Sequence, residues 1–448
     1  MSKHEYSEIR VPVNNDSLSI KRDNDKCILC GACKSTCKYK QGVSGNYDLT
    51  KTGDDAICID CGQCTQVCPT KALDIVENYQ QVEEEIKNGK FVIFQTSPSI
   101  RVSLGEEFGM EAGNVVEGKI VSALKKLGAS YVFDTNFGAD LTIMEEATEL
   151  INRIQENKNL PMFTSCCPAW VKYVEIFYPQ YIPNLSTCKS PILMQGSIIK
   201  SYFAEKAGIR KEDIVNVAIT PCTAKKAEIK REELKDMDYI VTVKELSKWI
   251  KEKNIDFVSL EESPYDSILG EKSGAGIIFG NTGGVMEAAL RTAYHFITGE
   301  DPDPTLLEYQ PVRGLTGVKE SEIEIAGNLY HIAVISGTGN AKKFLDTLEN
   351  SNKHYDFIEV MACPGGCISG GGQPKKDPMM MDEIREKRIN SLYELDKKAH
   401  IRNSYENSEI KTLYEEFLKT PNSKEAEELL HTTYQDQSYL LEREVTYN

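Results

Sequence analysis

The chain has 448 residues, 40% apolar and 27% charged, the composition of a folded protein with material for several domains. Its formal net charge of -16 argues against nucleic acid as a partner, because phosphate binding needs a basic face. No run reaches the ~18 apolar residues of a membrane span, and the opening MSKHEYSEIRVPVNND lacks the pattern of a secretory leader, so a cytoplasmic protein with no membrane partner is expected.

In chain order, the first informative feature is cysteine. Of 14 cysteines, eight lie before residue 70, and in an intracellular chain they serve as metal ligands or catalytic groups sooner than as disulfides. They form two runs, CILCGACKSTC (Cys27, Cys30, Cys33, Cys37) and CIDCGQCTQVCP (Cys58, Cys61, Cys64, Cys68). Both have the C-x2-C-x2-C-x3-C spacing of bacterial ferredoxins, in which the fourth cysteine of each run ligates the other cluster. Cys27, Cys30, Cys33 and Cys68 are therefore assigned to one 4Fe–4S cluster, and Cys58, Cys61, Cys64 and Cys37 to a second. Zinc gains nothing from a third cysteine at the same short spacing. Residues 1–50 hold eight Lys/Arg against six Asp/Glu, a net of +2, so the remainder carries -18. A locally basic surface beside a cluster would steer a small acidic electron carrier.

After Cys68 a charged helix is expected around 78–89 and a buried strand from Phe91, which puts a boundary near residue 80. Apolar strands then alternate with amphipathic helices: FVIF, a helix from about 116 to 127, YVFD, a helix near 141–155, VAIT (217–220), DYIVTV (238–243) and IAVISG (332–337). This alternation predicts an α/β body with mostly parallel sheets. Cys167 follows PMFTS, Cys222 follows VAITP, and Cys363 and Cys367 follow FIEVMA, so three loops beyond strand ends could converge on one four-thiolate cluster. In FTSCCPAW that uses one of two adjacent cysteines, whose side chains diverge, and leaves Cys166 for another task.

TSCCPAW (164–170), TPCTAKKAE (220–228) and EVMACPGGCISGGGQP (359–374) resemble the three signature segments of the FeFe hydrogenases, and the likeness spans about residues 20 to 435. The resemblance implies an α/β catalytic domain (81–375) of two mixed or parallel twisted sheets around an H-cluster, a 4Fe–4S cube joined by one cysteine sulfur to a two-iron unit with CO, cyanide and azadithiolate. It also implies an α+β ferredoxin-like domain (1–80) and a helical C-terminal segment (376–448). Cys167, Cys222, Cys363 and Cys367 would hold the cube, with Cys367 bridging. Cys166 would be the last protein proton carrier, since a thiol is a weak donor and acceptor. Lys225 would offer its ammonium to a cyanide, steadied by Glu228, and Pro98 and Ser99 would serve the other cyanide. Thr220 and Met361 would flank the diiron unit. Thr220 stands where methionine is common in the family, and Ile192 where glutamine is.

In LTIMEEATELINRI, Glu146, Glu149 and Arg153 fall on one helical stripe beside the apolar face Ile143, Ala147, Leu150 and Ile154. The resemblance turns this stripe into a proton path, from Cys166 via water to Glu146, Ser186, Glu149 and Arg153. The implied activity is reversible H2 oxidation by a monomer, with ferredoxin as electron partner and maturation enzymes supplying the diiron unit. The alternatives are a non-catalytic hydrogenase-like assembly protein or an H2 sensor. Cys188 is read as a small buried apolar residue, SGAGIIFGNTGG (273–284) as tight packing rather than a dinucleotide loop, and the six histidines as structural. Residues from Tyr434 onward are expected to be loosely ordered.

Overall fold

The computed structural model describes residues 7–351 and 353–442. Two four-stranded sheets form the body. The first has the order β4-β3-β6-β7, with β3 Phe91–Thr96, β4 Tyr131–Asp134, β6 Ile214–Thr220 and β7 Tyr239–Thr242, all parallel. The second has the order β5-β10-β9-β8, with β5 Met162–Phe163, β8 Val318–Ile325, β9 Asn328–Ser336 and β10 Phe357–Met361. Its β8–β9 pair is an antiparallel hairpin, which the sequence reading did not anticipate. The strand VKESEIEI stands at the edge of its sheet, and its alternating exposure shows one face packed on the core and the other in water.

The chain leaves β3 toward β4 and leaves β6 toward β7 in opposite directions, so the crevice beyond β3 and β6 is a topological switch point. Pro98–Val102 and the Pro221–Cys222 turn occupy that crevice. From the other sheet, β5 and β10 deliver Cys166–Cys167 and Cys363 immediately past their C-terminal ends.

The helix carrying the glutamate stripe runs from Thr135 to Glu156, starting about 1.7 turns before its apolar period suggested. Asp134 sets the start: its side chain accepts from the Asn136 N–H at 3.0 Å and also pairs with the fully buried Arg101 at 2.7 Å. The remaining expected strands and helices are present, including the charged helix at Tyr79–Lys87.

At the N-terminus, β1 Ile20–Arg22 pairs antiparallel with β2 Leu73–Ile75, closing the module around its two cysteine runs. Gly31 and Gly62 follow the second cysteine of each run with φ of 78° and 67°, a turn that ordinary residues resist. A Cβ on Gly62 would lie 2.5 Å from Thr223 Oγ1 and 3.0 Å from Gly371 Cα, so the module meets the body backbone to backbone.

The C-terminal helices Met381–Lys398, Ser408–Leu413 and Lys424–Leu430 wrap the body. The tail beyond them is anchored, contrary to expectation: Gln435 N–H and Gln437 Nε2 donate to the buried Glu175 carboxylate, and Tyr434 Oη donates to the carbonyl oxygens of Ser186 and Cys188. Residues 443–448 lie outside the described residues.

The clamp between C-terminal helix and body is Arg388, fully buried, with Glu106 at 2.7 and 2.8 Å. Glu106→Ala should cost about 3–5 kcal/mol, because the guanidinium is left buried without its partner, whereas Glu106→Leu with Arg388→Met should cost far less. Anaerobic denaturant midpoints of the two variants check this; equal losses would remove the ion-pair argument.

Candidate metal centres and proton route

Three separate places gather thiols. One cavity of about 20 Å³ is lined by Cys27, Cys30, Cys33 and Cys68, and another of about 30 Å³ by Cys37, Cys58, Cys61 and Cys64. Each cavity thus draws three cysteines from one run and the last cysteine of the other. In the body, Cys167, Cys222, Cys363 and Cys367 are half-buried, and Cys363 and Cys367 each feel the charges of Cys222 and Cys167. Burial pushes the Cys222 thiol up to about 11, and burial followed by the Cys222 and Cys167 charges pushes Cys363 well above the ordinary thiol range.

Such a set cannot ionise in a dry pocket without a strongly cationic centre among the sulfurs, and four sulfur donors per site are what an iron–sulfur cube requires. The donor sets therefore fit the clusters. Polar groups already face the sulfurs: Ala362 N–H donates to Cys167 Sγ at 3.4 Å, and Gln63 Nε2 donates to Cys363 Sγ at 3.3 Å. Gln63 sits between Cys61 and Cys64 and also donates to the Ser369 carbonyl at 2.8 Å, so it ties the second N-terminal cage to the body cage. Sequence reading missed it; its position inside the x2 spacing of a cysteine run was the one available signal.

Beside the body cage lies a further cavity of about 60 Å³, lined by Pro98, Ser99, Cys166, Cys167, Ile192, Thr220, Lys225, Phe279, Met361 and Cys367. Lys225 is buried; its Nζ reaches Ser190 Oγ at 3.0 Å and Glu228 Oε2 at 3.1 Å, which leaves a third N–H direction. Burial works against its charge, but Glu228 and then Cys222 outweigh it and raise the pKa. Ser99 Oγ approaches the Cys367 carbonyl at 3.5 Å, and Thr220 Oγ1 accepts from the Cys222 N–H at 3.4 Å. Of the Gly-rich segment 273–284, Phe279 lines this cavity, and Gly276 packs where a Cβ would come within 2.8 Å of the Asn136 carbonyl. The segment is close packing, as expected.

The stripe on helix Thr135–Glu156 is buried, not solvated. Ser186 Oγ donates to Glu149 Oε2 at 2.8 Å, and Arg153 pairs with Glu149 Oε1 at 2.6 Å. Arg153 is further held by the carbonyls of Asn159, Pro183, Asn184 and Leu185. Glu146 is 1% exposed, and among the described residues neither of its carboxyl oxygens has a hydrogen-bond partner. Burial, then the Glu149 charge, pushes its pKa up to about 8. Burial followed by Glu146 pushes the Cys166 thiol well above the ordinary range, so it rests neutral. The structure brings Cys166 and Glu146 within electrostatic reach but makes no direct hydrogen bond between them among the described residues.

Two thiol cages in an outer module leading to a third inside an α/β body define a multi-cluster iron–sulfur oxidoreductase. The sequence matches the family "Iron only hydrogenase large subunit, C-terminal domain" over residues 90–371, "Iron hydrogenase small subunit" over 382–437 and "4Fe-4S dicluster domain" over 19–69. It is 43% identical to iron hydrogenase 1 of Clostridium pasteurianum over 442 residues, covering 94% of this chain and 77% of that protein. It is 30% identical to the cytosolic Fe-S cluster assembly factor narfl of Xenopus tropicalis over 361 residues, 77% of this chain and 74% of that protein. Among solved structures, an apo variant of FeFe-hydrogenase HydA1 from Chlamydomonas reinhardtii superposes with a TM-score of 0.72 at 39% identity, covering 81% of this chain and 99% of that one. The chain belongs to the iron-only, or FeFe, hydrogenase family and is an enzyme acting on H2. Its cofactors are those of the family: two 4Fe–4S clusters and an H-cluster. Among the described residues no helix is long and apolar enough to cross a membrane.

Replacing Gln63 by Leu removes the donor to Cys363 Sγ and should lower the reduction potential of a cluster bound in the body cage while leaving iron content unchanged. Redox titration followed by electron paramagnetic resonance checks it; an unshifted potential would assign Gln63 to packing alone.

Proposed function

We propose that the chain interconverts H2 with two protons and two electrons, exchanging electrons with a small acidic ferredoxin-like carrier and protons through Cys166, Glu146, Ser186, Glu149 and Arg153. Residues 1–80 act as the electron module, 81–375 as the catalytic body and 376–448 as its outer belt, working as one cytoplasmic chain. Cys27, Cys30, Cys33 and Cys68 hold the outer cluster, and Cys37, Cys58, Cys61 and Cys64 the inner one. Cys167, Cys222, Cys363 and Cys367 hold the cube of the H-cluster, with Cys367 also bridging to a diiron unit that maturation enzymes insert. When bound, that unit supplies the centre at which the H–H bond is broken or made.

The chain's own residues do the rest. Lys225, with two N–H directions spent on Ser190 and Glu228, has one left for a cyanide, an anion it can hold in a dry pocket. Pro98 and Ser99 face the same cavity for the second cyanide, while Thr220, Ile192, Phe279 and Met361 exclude water. Thr220 and Ile192, in place of the family's methionine and glutamine, change the dielectric there and set the bias between H2 uptake and evolution. Cys166 rests as a neutral thiol and hands a proton through water to Glu146. Ser186 then links to Glu149, and Arg153 marks the outer end.

The observation that supports this reading best is the buried Ser186–Glu149–Arg153 chain one helical turn from Glu146. Unpaired buried carboxyls are costly, and an assembly scaffold has no use for them. At the other end, Cys30 is exposed beside Ile28, with Lys26, Lys38 and Lys40 also exposed, a surface suited to an acidic carrier.

Cys166→Ala and Glu146→Gln should each leave the cube signals intact and lower turnover at least ~10²-fold, the scale of a lost proton-transfer group; retained activity would refute the relay. With its pKa near 8, Glu146 is protonated and can give protons below that pH and is ionised above it. H2 evolution should therefore fall as pH rises through about 8, and the residual activity of Glu146→Gln should lose that limb. Electron transfer from a small acidic ferredoxin should slow with rising salt; a flat response would sink steering.

A further inference from the structure

Glu149 has a neighbourhood that the proton route does not use. Glu149, Cys188 and His431 each offer one metal-ligating atom, and these atoms lie within 4.8 Å of one another. We propose that these three side chains form a binding site for a zinc-class divalent cation, and that its occupation closes proton transfer through Glu149. The second half of the proposal rests on the route described above.

Ligand chemistry favours this class of ion. Sulfur, imidazole nitrogen and carboxylate oxygen together suit zinc, with a fourth position for the Thr187 hydroxyl or water. Cys188 Sγ lies 3.8 Å from Glu149 Oε2 as a donor, the contact in which a metal takes the place of a thiol proton. The cation displaces H⁺ from the thiol and forms a sulfur–metal bond; the proton leaves to solvent and nothing is oxidised or reduced.

His431 is already set for the same task. Its Nε2 faces Glu145 Oε2 at 3.0 Å and its Nδ1 faces Thr187 Oγ1 at 2.7 Å. With Glu145 accepting from Nε2–H, the lone pair stays on Nδ1, on the side of Thr187. A carboxylate behind the imidazole is the outer support that metal-ligating histidines carry. Glu145 is itself held by the Asn422 N–H at 2.7 Å and by the Tyr414 hydroxyl.

The arrangement is rigid and reachable. Cys188 and His431 form an antiparallel bridge, Lys189 N–H donates to the Leu430 carbonyl at 2.8 Å, and Thr432 N–H donates to the Thr187 carbonyl at 2.8 Å. Glu149 and Cys188 are buried, whereas the His431 side chain is 10% exposed and Thr187 half-buried, so the site opens on that side. Once the thiol proton has left, two carboxylates and a thiolate beside the Arg153 guanidinium carry the excess negative charge that a divalent cation neutralises. Bound there, the cation would draw on Glu149 Oε2, the atom that accepts from Ser186, and that oxygen would no longer take a proton.

The test is a Zn²⁺ titration of the holoenzyme, following H2 evolution, iron content and zinc K-edge absorption. Expected are one tightly held zinc per chain with a sulfur neighbour at about 2.3 Å and nitrogen or oxygen neighbours at about 2.0 Å. Turnover should fall with occupancy and return on chelation, with iron unchanged. Cys188→Ala and Glu145→Gln, each measured against its own zinc-free rate, should need at least ~10-fold more zinc. Cys188→Ser, which keeps the side-chain volume, should behave like Cys188→Ala. A zinc shell without sulfur, iron loss on titration, or unchanged zinc sensitivity in both Cys188 variants would overturn the site. Zinc bound with the expected shell but without inhibition would overturn the closure and put the fault in the route through Glu149.

Discussion

Thiolates packed into a low-dielectric interior repel one another, and each one raises the cost of ionising the next. In the body cage burial comes first, and Cys222 and Cys167 then both hold up the pKa of Cys363 and Cys367, with the Lys225 charge opposing them at Cys367. Only a multivalent centre among the sulfurs can balance such a set. That requirement accounts for the architecture around it. The parallel strands of both sheets point their C-terminal ends at one volume, because loops past strand ends can bring four sulfurs together without burying an unpaired strand edge.

The same low dielectric governs the proton route. A carboxyl removed from water prefers to stay protonated, and Glu146, without a hydrogen-bond donor among the described residues, is held near neutrality in its titration. Glu149, a turn further on, is surrounded by the Ser186 hydroxyl, the Thr187 N–H and Arg153. One helix therefore presents two carboxyls in opposed environments, an inner one without donors and an outer one saturated with them. In the proposed function electrons and protons would reach the cage from different sides: the Gln63 contact faces the dicluster module, whereas Cys166 lies within electrostatic reach of Glu146 on the helix of glutamates.

Legibility followed the range of the interaction. The division of eight N-terminal cysteines into two quartets could be read from spacing, because a C-x2-C-x2-C run can reach only three corners of one cube. The glutamate stripe could be read as a stripe, but its burial could not: composition alone favours a solvated face for Glu146, Glu149 and Arg153. Cys188 is a small apolar residue by its packing in the cluster of Phe137, Leu141 and Met194, yet its sulfur also faces Glu149. His431 looked structural and stands between Glu145 and Thr187. The tail from Tyr434 looked loose and is bound to Glu175, a partner some 260 residues earlier in the chain.

By itself, then, the amino-acid sequence determined the grouping of the outer module's cysteines into two quartets, the alternation of strands and helices, and the three loops that carry the inner thiols, since each depends on neighbours a few residues apart. Tertiary structure alone decided which way the sheets face, that the glutamate helix is buried, that Gln63 spans from one cage to the next, and that His431 meets Glu145 and Thr187. Those outcomes depend on groups hundreds of residues apart sharing one dry volume, and no local pattern of residues encodes the desolvation that sets their chemistry.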